Sequence, residues 1–391
     1  MEFSLQWQSP YAHHNDKSYE GKIDFWRDFF PGNLQENLSK LNPGQKYLET
    51  FEAGILVPKY SDKNVIEFPR TLFTHNQDGL VITPAPGRFY PKSYAWKALH
   101  SFPHDTTPFR LVDNFNKTLV ADINHPLAKF PVEIEVSMVT HLKTATQRGG
   151  SCNDIAELLT KNGPGMQVPV EGWSKTPIKG YPFSRSNEEE DKAFYQSPRF
   201  VHHLDSTARS HVQSIYSKLL SPGMKVLDLM SSWESHMPNK LQGCEVTGVG
   251  LNEEELKGNE QLSSYLIHDL NKAPVLPFPD QQFDAAICTI SIEYLIRPLE
   301  VMAELARVIR PGKIFIAIVS ERWFPGKQIL PWADLHPFER QGHVLNYFLH
   351  EKRFTELRTE SFRGYPRPAQ DKYSQQLPFS DSLFMVSGKR T

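Results

Sequence analysis

The sequence predicts two folds in one chain: an α+β, strand-rich domain first, then an α/β domain on a doubly wound parallel sheet. Three observations carry this expectation. The 391 residues exceed what one ordinary core accommodates. The first part shows short β-type runs punctuated by Pro and Gly, whereas from Phe194 onward amphipathic helical runs alternate with apolar strand runs. Hydrophobic residues make up 39% and charged residues 23%, enough apolar material for two cores.

From Met1 to about Leu142 the strand candidates are ILVPKY, NVIEFPRTLF, GLVITPAPGRFY, TPFRLVDN, KTLVADIN and VEIEVSMV, the last alternating as a half-buried strand does. Within residues 30–46, Leu34, Leu38 and Leu41 recur at helical spacing before a Pro43-Gly44 stop. Residues 143–193 read as a linker with GG, GPG and the acidic NEEED, carrying one helix around NDIAELLTK. Beyond it come a helix in TARSHVQSIYSKLL, strands KVLDLM and EVTGVG, a helix in NEEELKGNEQL, strands SYLIHD and DAAICTI, a helix in PLEVMAELARVI and a strand in IFIAIVS. Strands separated by helices pair in parallel through right-handed crossovers.

Several function classes are excluded. Net charge is -2 with cations scattered among anions, so no nucleic-acid footprint is expected. The three cysteines form no CxxC pair, which argues against a disulfide framework and a zinc site, and His336, His343 and His350 lack the HExxH spacing. No metal is expected. The amino terminus lacks a basic-then-apolar leader and no apolar run nears the roughly 18 residues of a membrane span, so a soluble, cytoplasmic protein without membrane partners is expected.

In open α/β sheets, ligands bind beyond the carboxyl ends of the strands, so the strand-ending residues carry the chemistry. KVLDLMSSWESH (225–236) ends a strand without glycine. Ser231 or Ser232 in that turn could serve a hydrolase, but the G-x-S-x-G elbow is missing. LPFPDQQFDAAIC (276–288) and AELARVIRPGKIFIAI (303–318), in this order, resemble the class I S-adenosylmethionine-dependent methyltransferases over about residues 195–391. The resemblance implies a Rossmann-like methyltransferase domain over 194–391 with S-adenosylmethionine as cofactor. It implies cofactor contacts from Asp228, from Met230, Ser231 and Ser232 where the family has glycines, and from Gly250 where it has a ribose-binding carboxylate. Asn252 either reaches the ribose or caps a helix with Glu255 as its partner. Asp269, followed by Leu270, corresponds to the acid beside the adenine amine. Ser291, Glu293 and Tyr294 face the methionine end or the substrate, Glu293 being alternatively an ordinary first-turn acid. His236, Glu293 and Tyr294 are the candidates for handling a proton during methyl transfer.

DFFPGNLQENLSKLNPGQK (28–46), FEAGILVPKYSDKNVIEFPRTLF (51–73) and TPFRLVDNFNKTLVADINHPLAKFPVEIEVSMV (107–139) resemble the FKBP-type peptidyl-prolyl isomerases of the SlyD kind. That implies an FKBP-like α+β domain over 1–142 with an inserted flap subdomain at about 66–125. An apolar cleft with Phe29, Phe30, Val57 and Tyr60 would bind peptide, and a dry pocket that favours the twisted amide is sufficient chemistry for isomerisation. Together the two resemblances imply a methyltransferase coupled to an isomerase or chaperone-like module, its acceptor a polypeptide or a small molecule. The alternative is a non-catalytic binding or chaperone protein with a degenerate methyltransferase fold.

Overall fold

Residues 1–74, 76–77, 80–115, 117–140, 152–161, 163–170 and 183–391 are described by the structure, a computed structural model. The elements in the first part are β1 (Glu2–Gln8), β2 (His13–Tyr19), α1 (Leu34–Leu38), β3 (Lys46–Phe51), β4 (Val65–Pro69), β5 (Asn76–Gln77), β6 (Leu80–Val81), β7 (Phe89–Pro91), β8 (Pro108–Asn114), β9 (Thr118–Asp122), β10 (Val132–Ser137) and α2 (Ile155–Thr160). The chain divides into two compact units, one of Leu5–Ser9 and Asp24–Pro177, the other of Met1–Ser4, Pro10–Ile23 and Ile178–Thr391.

In the first unit β10 runs antiparallel to β3, from Val132 opposite Phe51 to Ser137 opposite Lys46. Alternation of VEIEVS buries Val132, Ile134 and Val136, as its period of two requires. A separate antiparallel sheet, β4-β9-β8-β7, lies between residues 65 and 122. Its core holds Phe68, Phe73, Tyr90, Phe109, Leu111 and Leu119. The helix expected within 30–46 is one short turn that buries Leu34 and Leu38, with no side-chain cap at Asn33. Part of the expected linker is packed: residues 163–169 are buried, and Arg110 donates to the Met166 and Val168 carbonyls at 3.2 and 2.5 Å. Residues 141–151 and 171–182 of that stretch lie outside the described residues.

The second unit continues with α3 (Asp191–Phe194), α4 (Ser206–Leu219), β11 (Lys225–Leu229), β12 (Glu245–Gly250), α5 (Glu253–Gly258), β13 (Ser264–Ile267), β14 (Phe283–Thr289), α6 (Pro298–Val308), β15 (Ile309–Ser320), α7 (Pro337–Glu351), β16 (Phe354–Arg363) and β17 (Leu383–Arg390). The expected strands are present, in the order β13-β12-β11-β14-β15, all parallel. The order reverses between β11 and β14, which makes their carboxyl ends the switch point where such sheets open a crevice. Ala208, Val212, Ile215 and Tyr216 of α4 pack with Val226, Ala285, Ile287 and Ile316 of the sheet. No helix follows β11, where a doubly wound fold ordinarily has one; residues 230–244 run to β12 without regular structure beyond turns.

Past β15 the sheet adds β17 antiparallel, then β16, then β2 from the chain's beginning, parallel to β16. Residues 10–23 therefore group with the C-terminal half and not with the rest of 1–142. The cause is a polar seam. The buried face of β2 is His14, Asp16 and Ser18; His14 bonds Thr359 at 2.8 Å, and Asp16 accepts from Ser361 and Arg363 at 2.7 and 2.9 Å.

Candidate functional site

The carboxyl ends of β11, β12, β13 and β14 wall a cavity of about 400 Å³, within the range of small-molecule sites. Asp228, the fourth residue of β11, stands at its floor, 3% exposed. Its Oδ2 accepts from Ser231 Oγ and Ser235 Oγ, both at 2.6 Å. Burial raises the Asp228 carboxyl above its ordinary value, and the two hydroxyls and His236 oppose that shift. The turn itself runs from Met230 to His236, and both residues adopt φ 56°, a left-handed conformation that glycine usually supplies. Ile290, just past β14 and also on the cavity wall, has φ 45°, an outlier for a β-branched residue. Backbone strain thus gathers at the crevice, a common property of functional sites.

The glycine missing from the turn is found on the neighbouring strand. Ser231 N–H donates to Val249 O at 2.7 Å, and a Cβ on Gly250 would stand 2.3 Å from Ser231 O. Gly250 is therefore dictated by the close approach of the turn. Ser232 Oγ donates to Glu255 Oε2 at 2.6 Å, and Asn259 Nδ2 donates to Ser232 O and Ser235 Oγ, each at 2.9 Å. Side-chain hydrogen bonds fix the shape that glycines elsewhere make accessible.

Asn252 is resolved in favour of the cap. Its Oδ1 accepts from Glu255 N at 3.0 Å, and its Nδ2 donates to the Tyr195 and Gln196 carbonyls at 2.9 and 3.1 Å, so both ends of the amide are engaged. Asp269 Oδ1 accepts the Asn271 and Lys272 amides at 2.9 and 3.3 Å, an Asx turn, and among the described residues no donor is bonded to its Oδ2. Leu270 is buried beside it on the wall. Ser291 and Tyr294 line the cavity; Ser291 Oγ donates to Thr289 O, and Tyr294 Oη accepts from Phe324 N at 2.9 Å. Burial holds the Tyr294 hydroxyl protonated, well above its ordinary range.

His236 also lines the cavity, its Nδ1 3.4 Å from Glu234 Oε1, while His202 Nδ1 is 2.8 Å from the other oxygen. Burial works against ionisation of Glu234, but His236, Arg209 and His202 overcome it and hold the carboxyl at about 2. A carboxylate that orients an imidazole is the usual support of a proton acceptor.

Glu293 is the exception among the expected residues. It does not line the cavity: its side chain is 0% exposed and neither carboxylate oxygen is hydrogen-bonded to another residue among those described. Burial pushes it to about 8, and its own backbone amide and Arg340 offset only part of that. Glu293 does stand in a first turn, the single 3-10 turn of residues 292–294, and it is buried there.

Sequence reasoning missed the residues that hold the cavity's rim. Asp191, itself buried, accepts from Arg185 at 2.8 and 2.9 Å, from Lys327 at 3.0 Å and from Asn271 at 2.8 Å. Nothing in the acidic NEEED run distinguishes Asp191 from its solvated neighbours. Of the expected peptide-binding residues, all in the other unit, Phe29 is 70% exposed, Phe30 stacks on Phe25 with ring centroids 5.5 Å apart, Val57 is buried, and Tyr60 carries the Lys129 ammonium 3.9 Å from its ring centre.

A family model described as a methyltransferase domain matches residues 233–317, from the turn after β11 into β15. Residues 233–317 are a methyltransferase domain. Its cofactor class is S-adenosylmethionine. The chain is 32% identical over 125 residues to squalene methyltransferase 1 of Botryococcus braunii, covering 30% of this chain and 32% of that protein. It is 25% identical over 186 residues to sterol 4-C-methyltransferase strm-1 of Caenorhabditis elegans, covering 36% of this chain and 55% of that protein. The chain thus spans well under two thirds of either relative. A solved S-adenosylmethionine-dependent methyltransferase from Mesorhizobium loti aligns at 16% identity and TM-score 0.31, covering 45% of this chain and 96% of that one.

The cavity of the methyltransferase domain fits such a nucleoside in volume and in donor set. Asp269 Oδ2 is a carboxylate oxygen without a donor among the described residues, suited to an exocyclic amine. No helix of the described residues is long and apolar enough to cross a membrane.

Proposed function

We propose that the second unit is an S-adenosylmethionine-dependent methyltransferase acting on a small, largely apolar acceptor. The observation that carries this is the cavity at the β11/β14 switch point, which Asp228, Gly250, Asp269, Ser291 and Tyr294 line together inside or beside the matched segment. The cofactor, when bound, supplies an electrophilic methyl group. Asp269 and Leu270 hold the base, the turn from Met230 to Ser232 shapes the floor, and Ser291 and Tyr294 border the acceptor side. His236, with Glu234 3.4 Å from its Nδ1, accepts the proton that methylation releases. The aromatic wall of Trp233, Phe324 and Tyr373 favours an apolar acceptor, in keeping with relatives named for squalene and a sterol. Titration calorimetry with S-adenosylhomocysteine, followed by incubation of methyl-labelled cofactor with squalene and sterol acceptors, tests this. Binding and label in the lipid product are expected; no heat up to millimolar ligand overturns the reading in favour of a degenerate, non-catalytic fold.

For the first unit we infer a peptide-binding module with prolyl isomerase chemistry. The resemblance stated above and the outward-facing Trp26 and Phe29, 65% and 70% exposed, support it. A proline-peptide isomerisation assay on the full chain and on a Phe29→Ala, Phe30→Ala double variant is its test. A rate equal to the uncatalysed one sinks it.

A further inference from the structure

The floor of the cavity lacks a feature that anionic ligands of open α/β sheets ordinarily use. Such ligands place their negative group at the N-terminus of the helix that follows the first strand, where unpaired amides and the helix dipole are positive. Here residues 230–244 form no helix. The next helix, α5, has its first turn capped by Asn252 and carries Glu253, Glu254 and Glu255, which repel an anion. A ligand with a carboxylate must therefore find its positive partner in a side chain.

Four cations line the cavity. Arg322 pairs with Asp381 at 2.8 Å, Arg367 with Asp381, Asp371 and Asp205 at 2.6, 3.3 and 3.5 Å, and Lys372 is exposed to solvent. Arg199 differs from all three. Its guanidinium lies over the rings of Phe194, Tyr195 and Phe324 at 4.9, 5.6 and 5.2 Å, donates to Phe194 O at 3.0 Å, and faces no carboxylate within ion-pair distance among the described residues. Its backbone N–H donates to Glu255 Oε1 at 2.7 Å, and the other oxygen of that carboxylate holds Ser232. Arg199 is thereby tied to the glycine-free turn through one shared residue. Three rings fix the fork in place, so little rotamer entropy is lost when it closes on a planar anion, for which its geometry is suited.

We infer that Arg199 replaces the missing helix N-terminus and binds the carboxylate at the amino-acid end of the cofactor. This rests on the methyltransferase reading, and the relatives named for squalene and a sterol supply no carboxylate on the acceptor side. Arg199 is a binding residue for the cofactor with no part in the transfer itself.

The test is calorimetric binding of two probes to the full chain: S-adenosylhomocysteine, and 5′-methylthioadenosine, which keeps the nucleoside and thioether but lacks the amino acid. The wild type is expected to prefer S-adenosylhomocysteine at least tenfold. Arg199→Met keeps an apolar stem among the rings and should abolish that preference, lowering S-adenosylhomocysteine affinity at least tenfold while leaving 5′-methylthioadenosine unchanged; Arg199→Lys should recover part of it. An equal fall for both probes makes Arg199 merely structural and overturns the assignment, as does an unchanged preference in Arg199→Met. Wild-type protein that binds neither probe sinks the cofactor reading and this inference with it.

Discussion

Asp228 and Glu293 both bury a carboxyl group near the carboxyl end of a strand of the same sheet, and they are satisfied very differently. Asp228 accepts from two serine hydroxyls of its own turn, whereas Glu293 receives no hydrogen bond from any other described residue. Burial raises both carboxyls. The difference shows two uses of the same desolvation. At the end of β11 a partnered carboxyl serves as the peg around which a strained turn is shaped. After β14 an unpartnered one stays protonated near neutrality, because a buried charge without donors costs more than holding a proton.

The largest expected effect lies at Glu293. Its folded value, about 8, exceeds its ordinary 4.5, so the folded chain retains a proton that the unfolded chain releases between those values. Stability must then fall as pH rises through that window, by about 1.4 kcal/mol per pH unit, and level off above pH ~8. The accumulated loss is about 5 kcal/mol. Glu293→Gln keeps the shape and removes the proton, so denaturant unfolding at a series of pH values should show the slope in wild type and its absence in the variant. Parallel curves would mean that the carboxyl ionises freely.

The partnered carboxyl should show its weight on truncation. Asp228→Ala removes the acceptor of two charge-assisted hydrogen bonds and strands Ser231 and Ser235, a cost of about 3 kcal/mol. S-adenosylhomocysteine affinity, read by calorimetry, should fall with it, since the turn loses its peg. If Asp228→Ala unfolds at wild-type denaturant concentration, the contrast between the two carboxyls fails on this side.

The same contrast explains what the sequence disclosed. The parallel strands were legible because their apolar runs are short and separated by helical periods, and the cavity wall followed from reading the residues at strand ends. Satisfaction was not legible. Nothing local tells that Asp228 meets Ser235 or that Glu293 turns inward, since both depend on side-chain direction in turns of a few residues. Two elements were hidden by polar burial. β2 presents His14, Asp16 and Ser18 to the interior, and α7 buries Arg340, Gln341, His343 and Asn346 among its apolar residues, so neither shows the hydrophobic pattern that a core-facing element is expected to display. Asn252 followed by Glu255 three residues on reads as a cap, but only the carbonyl acceptors at Tyr195 and Gln196 decide between cap and ligand.

Two smaller changes sharpen the account of the turn. Gly250→Ala places a Cβ 2.3 Å from the Ser231 carbonyl oxygen, a backbone atom that cannot yield alone. Overpacking of this kind costs about 2 kcal/mol. Because the collision moves the cavity floor, binding should weaken along with stability; a fall in melting temperature with unchanged S-adenosylhomocysteine affinity would separate Gly250 from the site.

Met230→Gly should act in the opposite direction. Met230 holds φ 56°, where a Cβ costs about 1 kcal/mol that glycine does not incur, while the glycine regains unfolded-state entropy of smaller size. The folded turn is held by Ser231, Ser235, Asn259 and Glu255 and does not depend on the Met230 side chain for any of those hydrogen bonds. Melting temperature should therefore rise slightly, or stay level, with ligand affinity preserved. A clear loss of stability would show that Met230 contributes packing that outweighs its strain. In that case the hydroxyl clamp on Asp228 would be only part of what keeps a glycine-free turn closed.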